Sequence, residues 1–407
     1  MAYLTITAPT KLSGTICLPS SKSICNRALI INALSYSPYE IKNLSDCDDT
    51  RAVMAVLNSD SNHFDVGAAG TAMRFLTAYL SKIVGEWTIT GSERMKKRPI
   101  RILVDALNSL GARVEYLEEE GFPPLQIFGS ALQGGEIELD SSVSSQYISA
   151  LLMIAPTMEK GLIIKLKGHL ASKSYVQMTL KIMKDFGIKA TWNKGKIIVP
   201  PQEYKPITFK VESDWSAASY WYEIVALLGE GEVLLKGLKK DSCQGDAKVA
   251  ELFALLGVQS SYTEEGVLLT VNNGMTSCMI YNFVDQPDLV QTFVVTCCLL
   301  NIPFSFTGLE TLKIKETDRT AALITEMTKL GYKLNETEEG ALEWNGDKIK
   351  PEKNPAIDTY DDHRMAMSFA PTAIKISSLT INNPEVISKS YPTFWEDLKS
   401  VGFKIPE

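Results

Sequence analysis

The stretch LNSLGARVEYL, residues 107–117, decides the fold class. Its leucines keep the spacing of an amphipathic helix up to Gly111, and from there Val114 and Tyr116 alternate with charged residues. A glycine just past the last periodic position marks a helix end, because it takes left-handed backbone without a Cβ clash. The alternation that follows predicts a strand. The same helix–glycine–strand plan recurs in MKDFGIKATW (183–192), LFALLGVQSSY (252–262), MTKLGYKLNE (327–336) and LKSVGFKI (398–405). The glycines are 111, 187, 257, 331 and 402, at intervals of 76, 70, 74 and 71 residues. One glycine-ended helix means little, but five at a near-constant interval indicate a repeated unit. RAVMAVLNSDSNHFDVG (51–67) reads as a degenerate sixth copy, with Asn58 and Asp60 where the glycine would stand. The class is therefore α/β (α+β), with six βαβ-type units shared as three in each of two lobes.

The aperiodic segments KLSGTICLPSSKS (11–23) and ITFKVESDW (207–215) are the best crossovers between lobes. They divide the chain into 21–211 and 1–20 plus 212–407. At 407 residues, 45% hydrophobic and 22% charged, the composition is that of a globular chain with a large core. Lys and Arg number 41 against 48 Asp and Glu, a net charge of −7, which disfavours a generic binder of nucleic acid or anionic membrane. Seven cysteines without C-x-x-C spacing read as reduced thiols and a cytoplasmic location. Only three histidines occur (His63, His169, His363), too scattered for a metal site. Residues 289–309 carry no charge, yet the polar residues and Pro303 among them favour a buried helix and strand over a membrane span.

Several cations stand where helices begin, beside small hydroxyl residues or glycine, the setting of an anion site. Pro19-Ser20-Ser21-Lys22-Ser23-Ile24-Cys25-Asn26-Arg27 leaves a strand for a helix with Ser23 and Arg27 on one face. Gly67-Ala68-Ala69-Gly70-Thr71-Ala72-Met73-Arg74 repeats the plan, and Ser141-Ser142-Val143-Ser144-Ser145-Gln146 offers hydroxyls and an amide before a third helix. Residues 93–101 hold five cations in nine positions, a pattern usual for a solvated face. In Lys313-Ile314-Lys315-Glu316-Thr317-Asp318-Arg319, Lys315 and Arg319 are like charges four apart, a conflict on a helix that a bound anion would relieve. Glu316 beside them is a candidate general acid or base. Asp361-Asp362-His363-Arg364 sets a titratable histidine and an arginine at the start of an apolar helix. Asp288 reads as the N-cap of the long uncharged helix, or as a base at its mouth.

Taken together, LPSSKSICNRALI, AAGTAMRFLTA, RMKKRPI, SSQYISALLM, SKSY, VESDWSAASYW, KETDR, DDHRMAM and SKSYPTFWEDL run in the order found in one family. The sequence resembles the 5-enolpyruvylshikimate-3-phosphate synthases, along essentially its whole length. The resemblance implies a two-lobe inside-out α/β barrel that closes on substrate. It implies transfer of the enolpyruvyl group of phosphoenolpyruvate to the 5-hydroxyl of shikimate 3-phosphate, without metal or organic cofactor. A monomer acting on small molecules, with no nucleic-acid or membrane partner, is the matching expectation.

Carried over by motif, the resemblance assigns shikimate 3-phosphate to Lys22, Ser23, Arg27, Ser144, Ser145, Gln146, Ser172, Tyr175, Asp288 and Lys315. It assigns phosphoenolpyruvate to Lys22, Gly70, Arg98, Gln146, Arg319, Arg364 and Lys389. Asp288, Glu316, Lys22 and His363 would be catalytic, with Glu316 the acid that protonates the methylene carbon. Ser20, Ala68, Phe75 and Thr311 depart from the family's common Gly, Asn, Pro and Asn. None removes a charge from the proposed site. The rival readings are the sister enolpyruvyl transferase acting on UDP-N-acetylglucosamine, whose loop cysteine is missing from residues 90–100, and a non-catalytic phosphometabolite-binding protein, which would not need both carboxylates.

Overall fold

All five repeat glycines adopt positive φ, between 88° and 100°, each closing a helix and releasing the chain into an extended segment. Asn58, in the degenerate copy, ends its helix at φ −105° and stays out of the left-handed region. The computed structural model describes residues 2–140, 144–168, 170–376 and 378–406. Within them the chain divides into two compact units, Met1–Pro19 with Glu212–Glu407, and Ser20–Val211. The first crossing thus falls one residue earlier than the sequence suggested.

Four sheets share one strand order. In the unit 20–211, His63–Asp65 runs parallel to Gly85–Thr90, which pairs antiparallel with Leu125–Gly129, itself antiparallel to Arg113–Tyr116. Gly135–Asp140, Leu162–Lys167, Lys196–Val199 and Thr191–Asn193 repeat that order. In the other unit it returns in Leu12–Cys17, Gly231–Lys236, Gly266–Met275 and Leu256–Tyr262, and again in Met279–Asn282, Phe304–Thr307, Leu342–Trp344 and Asn335–Glu336. A fifth, of three strands, orders Ala356–Ile357, Leu379–Asn382 and Tyr3–Ile6. Among the described residues of the unit 20–211, the third repeat keeps only a parallel bridge between Lys42 and Lys210.

Each parallel pair is bridged by a helix that lies inside its unit. Lys22–Leu34, Gly70–Lys82 and Ser145–Ile154 pack on one another in one unit, and Trp215–Leu228, Val290–Leu299 and His363–Phe369 do so in the other. These inner helices are apolar almost all round; every residue of Val290–Leu299 is buried. Sheets cover them, and the amphipathic helices that end in the repeat glycines lie outside, so the arrangement is an inside-out α/β barrel in each unit. A helix with no polar side has polar groups to offer only at its ends. That is why the motifs of Lys22, Gly70, Ser145 and His363 stand at the N-termini of inner helices, whereas Arg319 opens an outer one. Among the described residues no helix is long and apolar enough to cross a membrane.

Candidate active site

In the unit 20–211, Lys22 opens its helix with Nζ 3.4 Å from Asp49, a buried carboxylate in the first turn of Asp48–Leu57. Ser23 follows, half-buried. Arg27 is fully enclosed: Nε donates to Thr179 Oγ1 at 2.7 Å, Nη1 to the Ser23 carbonyl at 2.8 Å, and Nη2 to Ser149 Oγ at 3.2 Å and the Tyr175 carbonyl at 3.4 Å. Its guanidinium stands 5.1 Å from the Phe75 ring centre and 5.9 Å from that of Tyr175. A cation fixed from so many sides loses little freedom when an anion arrives.

Ser144 caps Ser145–Ile154 by accepting from the Gln146 N–H at 3.3 Å, and Gln146 Nε2 reaches Thr71 Oγ1 at 3.4 Å. Ser145 is buried. Ser141, Ser142 and Val143, read with them in the sequence, lie outside the described residues, as does His169. Ser172 is buried in left-handed backbone (φ 56°) immediately before Lys173–Asp185. Gly70 opens Gly70–Lys82 with the Arg98 guanidinium against it; a Cβ there would sit 2.5 Å from Arg98 Nη1. The five-cation run therefore splits, with Arg94, Lys97 and Arg101 exposed and Arg98 turned inward. Arg74, grouped in the sequence with the anion residues, is instead a buried brace: it donates to the Gly70 carbonyl at 3.2 Å and the Pro99 carbonyl at 3.0 Å.

In the other unit seven sequence-predicted residues converge. Asp288 lies in the short turn Pro287–Leu289 and is not the N-cap of Val290–Leu299, a place Leu289 takes. Its carboxylate is drawn away to cations, accepting from Arg319 Nη1 at 3.0 Å and Arg364 Nη2 at 2.8 Å, with Lys315 Nζ at 3.6 Å. Glu316 is shared between Arg319 Nη2 at 3.1 Å and Lys389 Nζ at 2.8 Å. Lys315 and Arg319 do not share a helix as their spacing suggested. Asp318 caps the helix by accepting from the Ala321 N–H, so Arg319 is its first residue and Lys315 is extended.

Asp362 takes Arg319 on both oxygens, from Nε at 2.7 Å and Nη2 at 3.3 Å, and caps the Arg364 N–H at 2.9 Å. Arg319 is thus enclosed by Asp288, Glu316 and Asp362. His363 is buried beside this pair, with Nδ1 3.7 Å from Asp362. Burial works against ionisation of Asp288, yet Arg364, Lys315 and Arg319 outweigh it and hold the carboxyl well below its ordinary value. Burial depresses Lys315, with Asp288 opposing. Arg319 is also penalised by burial, but Asp362, Glu316 and Asp288 raise it above its ordinary value.

Sequence reasoning missed three carboxylates here. Asp246, buried and bonded by the Ser216 hydroxyl, is pushed up to about 7, first by burial and then by the charge of Asp288. Asp49 has no motif of its own. Asp362 stood in a quoted motif, but its partner Arg319 is 43 residues away. Only the turn Gln244-Gly245-Asp246 offered a local signal for the first.

Residues 6–59 and 57–398 match the family described as EPSP synthase (3-phosphoshikimate 1-carboxyvinyltransferase). Over 406 residues the chain is 54% identical to the 3-phosphoshikimate 1-carboxyvinyltransferase of Bacteroides fragilis (strain YCH46), across all of this chain and 99% of that protein. To the protein of that name from Vibrio atlanticus (strain LGP32) it is 38% identical over 428 residues, covering 98% and 99% of the two. Its fold is similar to that of a solved EPSP synthase from Acinetobacter baumannii, with a TM-score of 0.80, 19% identity and full coverage of both chains.

Proposed function

Since the chain belongs to the EPSP synthase (3-phosphoshikimate 1-carboxyvinyltransferase) family, we propose how its residues divide the work of that reaction. The protein is a transferase of the shikimate pathway. It moves the enolpyruvyl group of phosphoenolpyruvate to the 5-hydroxyl of shikimate 3-phosphate by addition and elimination, and releases phosphate. The reading on UDP-N-acetylglucosamine is not favoured, because the relatives at 54% and 38% identity carry the shikimate name.

Ser23, Arg27, Ser144, Ser145, Gln146, Ser172 and Tyr175 are the acceptor's ligands, joined by Lys22, Asp288 and Lys315. Phosphoenolpyruvate is assigned to Lys22, Gly70, Arg98, Gln146, Arg319, Arg364 and Lys389. The observation that carries this reading is the meeting of Asp288 and Glu316 with four cations in one cluster. Asp288 is ionised but weakened as a base by its cations, and it gains the strength to accept the proton of the attacking hydroxyl as substrate anions draw Arg364, Lys315 and Arg319 away from it. As the hydroxyl oxygen bonds to the central carbon of phosphoenolpyruvate, the methylene carbon takes a proton from Glu316. That methyl carbon then returns a proton to the Glu316 carboxylate as the bond from the central carbon to the phosphate oxygen breaks, and phosphate leaves with the proton that Asp288 took from the hydroxyl.

Substrate itself prepares Glu316. An anion that engages Lys389 and Arg319 draws both away from the Glu316 carboxylate and adds negative charge beside it, and both effects raise its affinity for a proton. Lys22 and His363, the latter buried with Nδ1 3.7 Å from Asp362, complete the catalytic set. We also read the protein as a cytoplasmic monomer. Cys25, Cys47, Cys297 and Cys298 are buried free thiols, in keeping with a reducing compartment.

The test is phosphate release by the purified, EDTA-treated protein with phosphoenolpyruvate, comparing shikimate 3-phosphate with UDP-N-acetylglucosamine as acceptor. Release with shikimate 3-phosphate alone is expected. Release with the nucleotide sugar alone, or with neither, overturns the assignment.

A further inference from the structure

Two residues in succession, Tyr360 and Asp361, stand in left-handed backbone, each at φ 54°, immediately before Asp362. Non-glycine residues pay for that conformation and hold it only where their surroundings insist on it. What insists here is a polar cluster on the far side of the turn from Arg319. The helix Arg319–Lys329 that begins with Arg319 carries Glu326 two turns later, fully buried. Glu326 Oε1 accepts from the Tyr360 hydroxyl at 2.6 Å, and Oε2 from the Asp358 N–H at 3.2 Å. Lys329 Nζ lies 2.8 Å from Glu326 and donates to Asp358 Oδ2 at 2.8 Å and the Ala356 carbonyl at 3.0 Å. Asn382 holds the other Asp358 oxygen at 2.7 Å.

One helix is therefore tied to one turn at two points. At its first residue, Arg319 is gripped by Asp362; seven residues on, Glu326 grips Tyr360 and Asp358. Packing alone would hold the turn with apolar residues at less cost than a buried carboxylate. What a carboxylate adds is direction, since each oxygen fixes one donor within the tolerance of a hydrogen bond. We propose that Glu326 is a positioning residue: through Tyr360 it locks the strained turn that presents Asp362 to Arg319 and starts the helix bearing His363 and Arg364. Release of that lock lets Asp362 shift and leaves Arg319 aimed between Asp288 and Glu316 without its rigid backing. The inference rests on the reading that Arg319 binds phosphoenolpyruvate.

The experiment measures kcat, the KM of each substrate and the melting temperature for Tyr360→Phe, Glu326→Ala, their double variant and Arg319→Lys. Tyr360→Phe deletes one hydroxyl on a part-exposed ring, so it answers the question even where Glu326→Ala fails to fold. The expected result is a fall of five-fold or more in kcat/KM for phosphoenolpyruvate in Tyr360→Phe, with the KM for shikimate 3-phosphate within two-fold and the melting temperature nearly unchanged. The double variant should be no worse than Glu326→Ala, as for two residues acting as one unit. Phosphoenolpyruvate kinetics within two-fold of wild type in Tyr360→Phe, or additive losses in the double variant, overturn the proposal while Arg319→Lys still raises the KM. If Arg319→Lys leaves that KM unchanged, the site reading falls and the proposal falls with it.

Discussion

Glu316→Gln should move binding and turnover in opposite directions. Glu316 sits 2.8 Å from Lys389 Nζ and 3.1 Å from Arg319 Nη2, so in the substrate-free protein it occupies two cations assigned to phosphoenolpyruvate. The incoming anion must displace it and then remain near its negative charge. Repulsion between unit charges about 5 Å apart, at an effective dielectric between about 20 and 80, comes to about 1–3 kcal/mol. Removing the charge while keeping the shape should therefore tighten phosphoenolpyruvate about five- to hundred-fold. Turnover should fall by about 10²–10⁴, the usual worth of a positioned proton donor. The dissociation constant must be read directly, by calorimetry in the presence of shikimate 3-phosphate, because KM mixes binding with chemistry. Unchanged kcat would take Glu316 out of the proton transfers, and weaker binding would refute the argument that the site neutralises itself.

Gly70→Ala would place a Cβ 2.5 Å from Arg98 Nη1 and 2.9 Å from its Cζ, both at the movable end of a side chain. The protein should fold normally with a KM for phosphoenolpyruvate raised about ten-fold or more and that for shikimate 3-phosphate little changed; equal KM values for the former would show that Arg98 is not a ligand. Asp246 ionises near pH 7, and its charge then competes for Arg364, so phosphoenolpyruvate should bind more weakly as pH rises through about 7. Titration of binding in Asp246→Asn should lose that component, and an identical pH profile would contradict it. Glu223, fully buried in Trp215–Leu228, is pushed well above its ordinary 4.5 by burial, so the folded protein keeps a proton that the unfolded chain releases above that pH. Stability should fall by about 1.4 kcal/mol per pH unit from there up to the folded-state value, and the advantage of Glu223→Gln in urea unfolding should grow with that slope; a pH-independent advantage would refute it.

How much of this was legible in the sequence follows from the range of each force. A helix ending in left-handed backbone is a local event, and the five glycines announced it; their positive φ values are the same fact seen in space. The uncharged run after Asp288 announced burial, and it is an inner helix. The site motifs were legible because cations at helix starts are a local pattern too. What was not legible is pairing across the fold: Arg319 meets Asp288 from 31 residues away and Asp362 from 43, and no periodicity encodes either distance. Placing Lys315 and Arg319 on one helix failed for a readable reason. Asp318 is among the best N-cap residues, and a helix that starts after it cannot contain Lys315.

The cations and carboxylates of the cluster have two uses. Arg364 stands in the first turn of an inner helix, Arg319 opens an outer one, and Lys315 and Lys389 lie on the turns beside them. Crowded cations repel, and an empty site of Lys315, Arg319, Arg364 and Lys389 would be unstable without counter-charge. Asp288, Glu316 and Asp362 supply it, each at hydrogen-bond distance from an arginine. On the proposed assignment, substrate anions take over that neutralising role, which frees Asp288 and Glu316 for proton transfer. Asp362 is the exception. Both its oxygens are committed to Arg319 and one also to the Arg364 N–H, and it is fully buried. It therefore stays in place as substrate exchanges with its neighbours, which makes it the fixed point of the site and explains why the turn behind it is held so firmly.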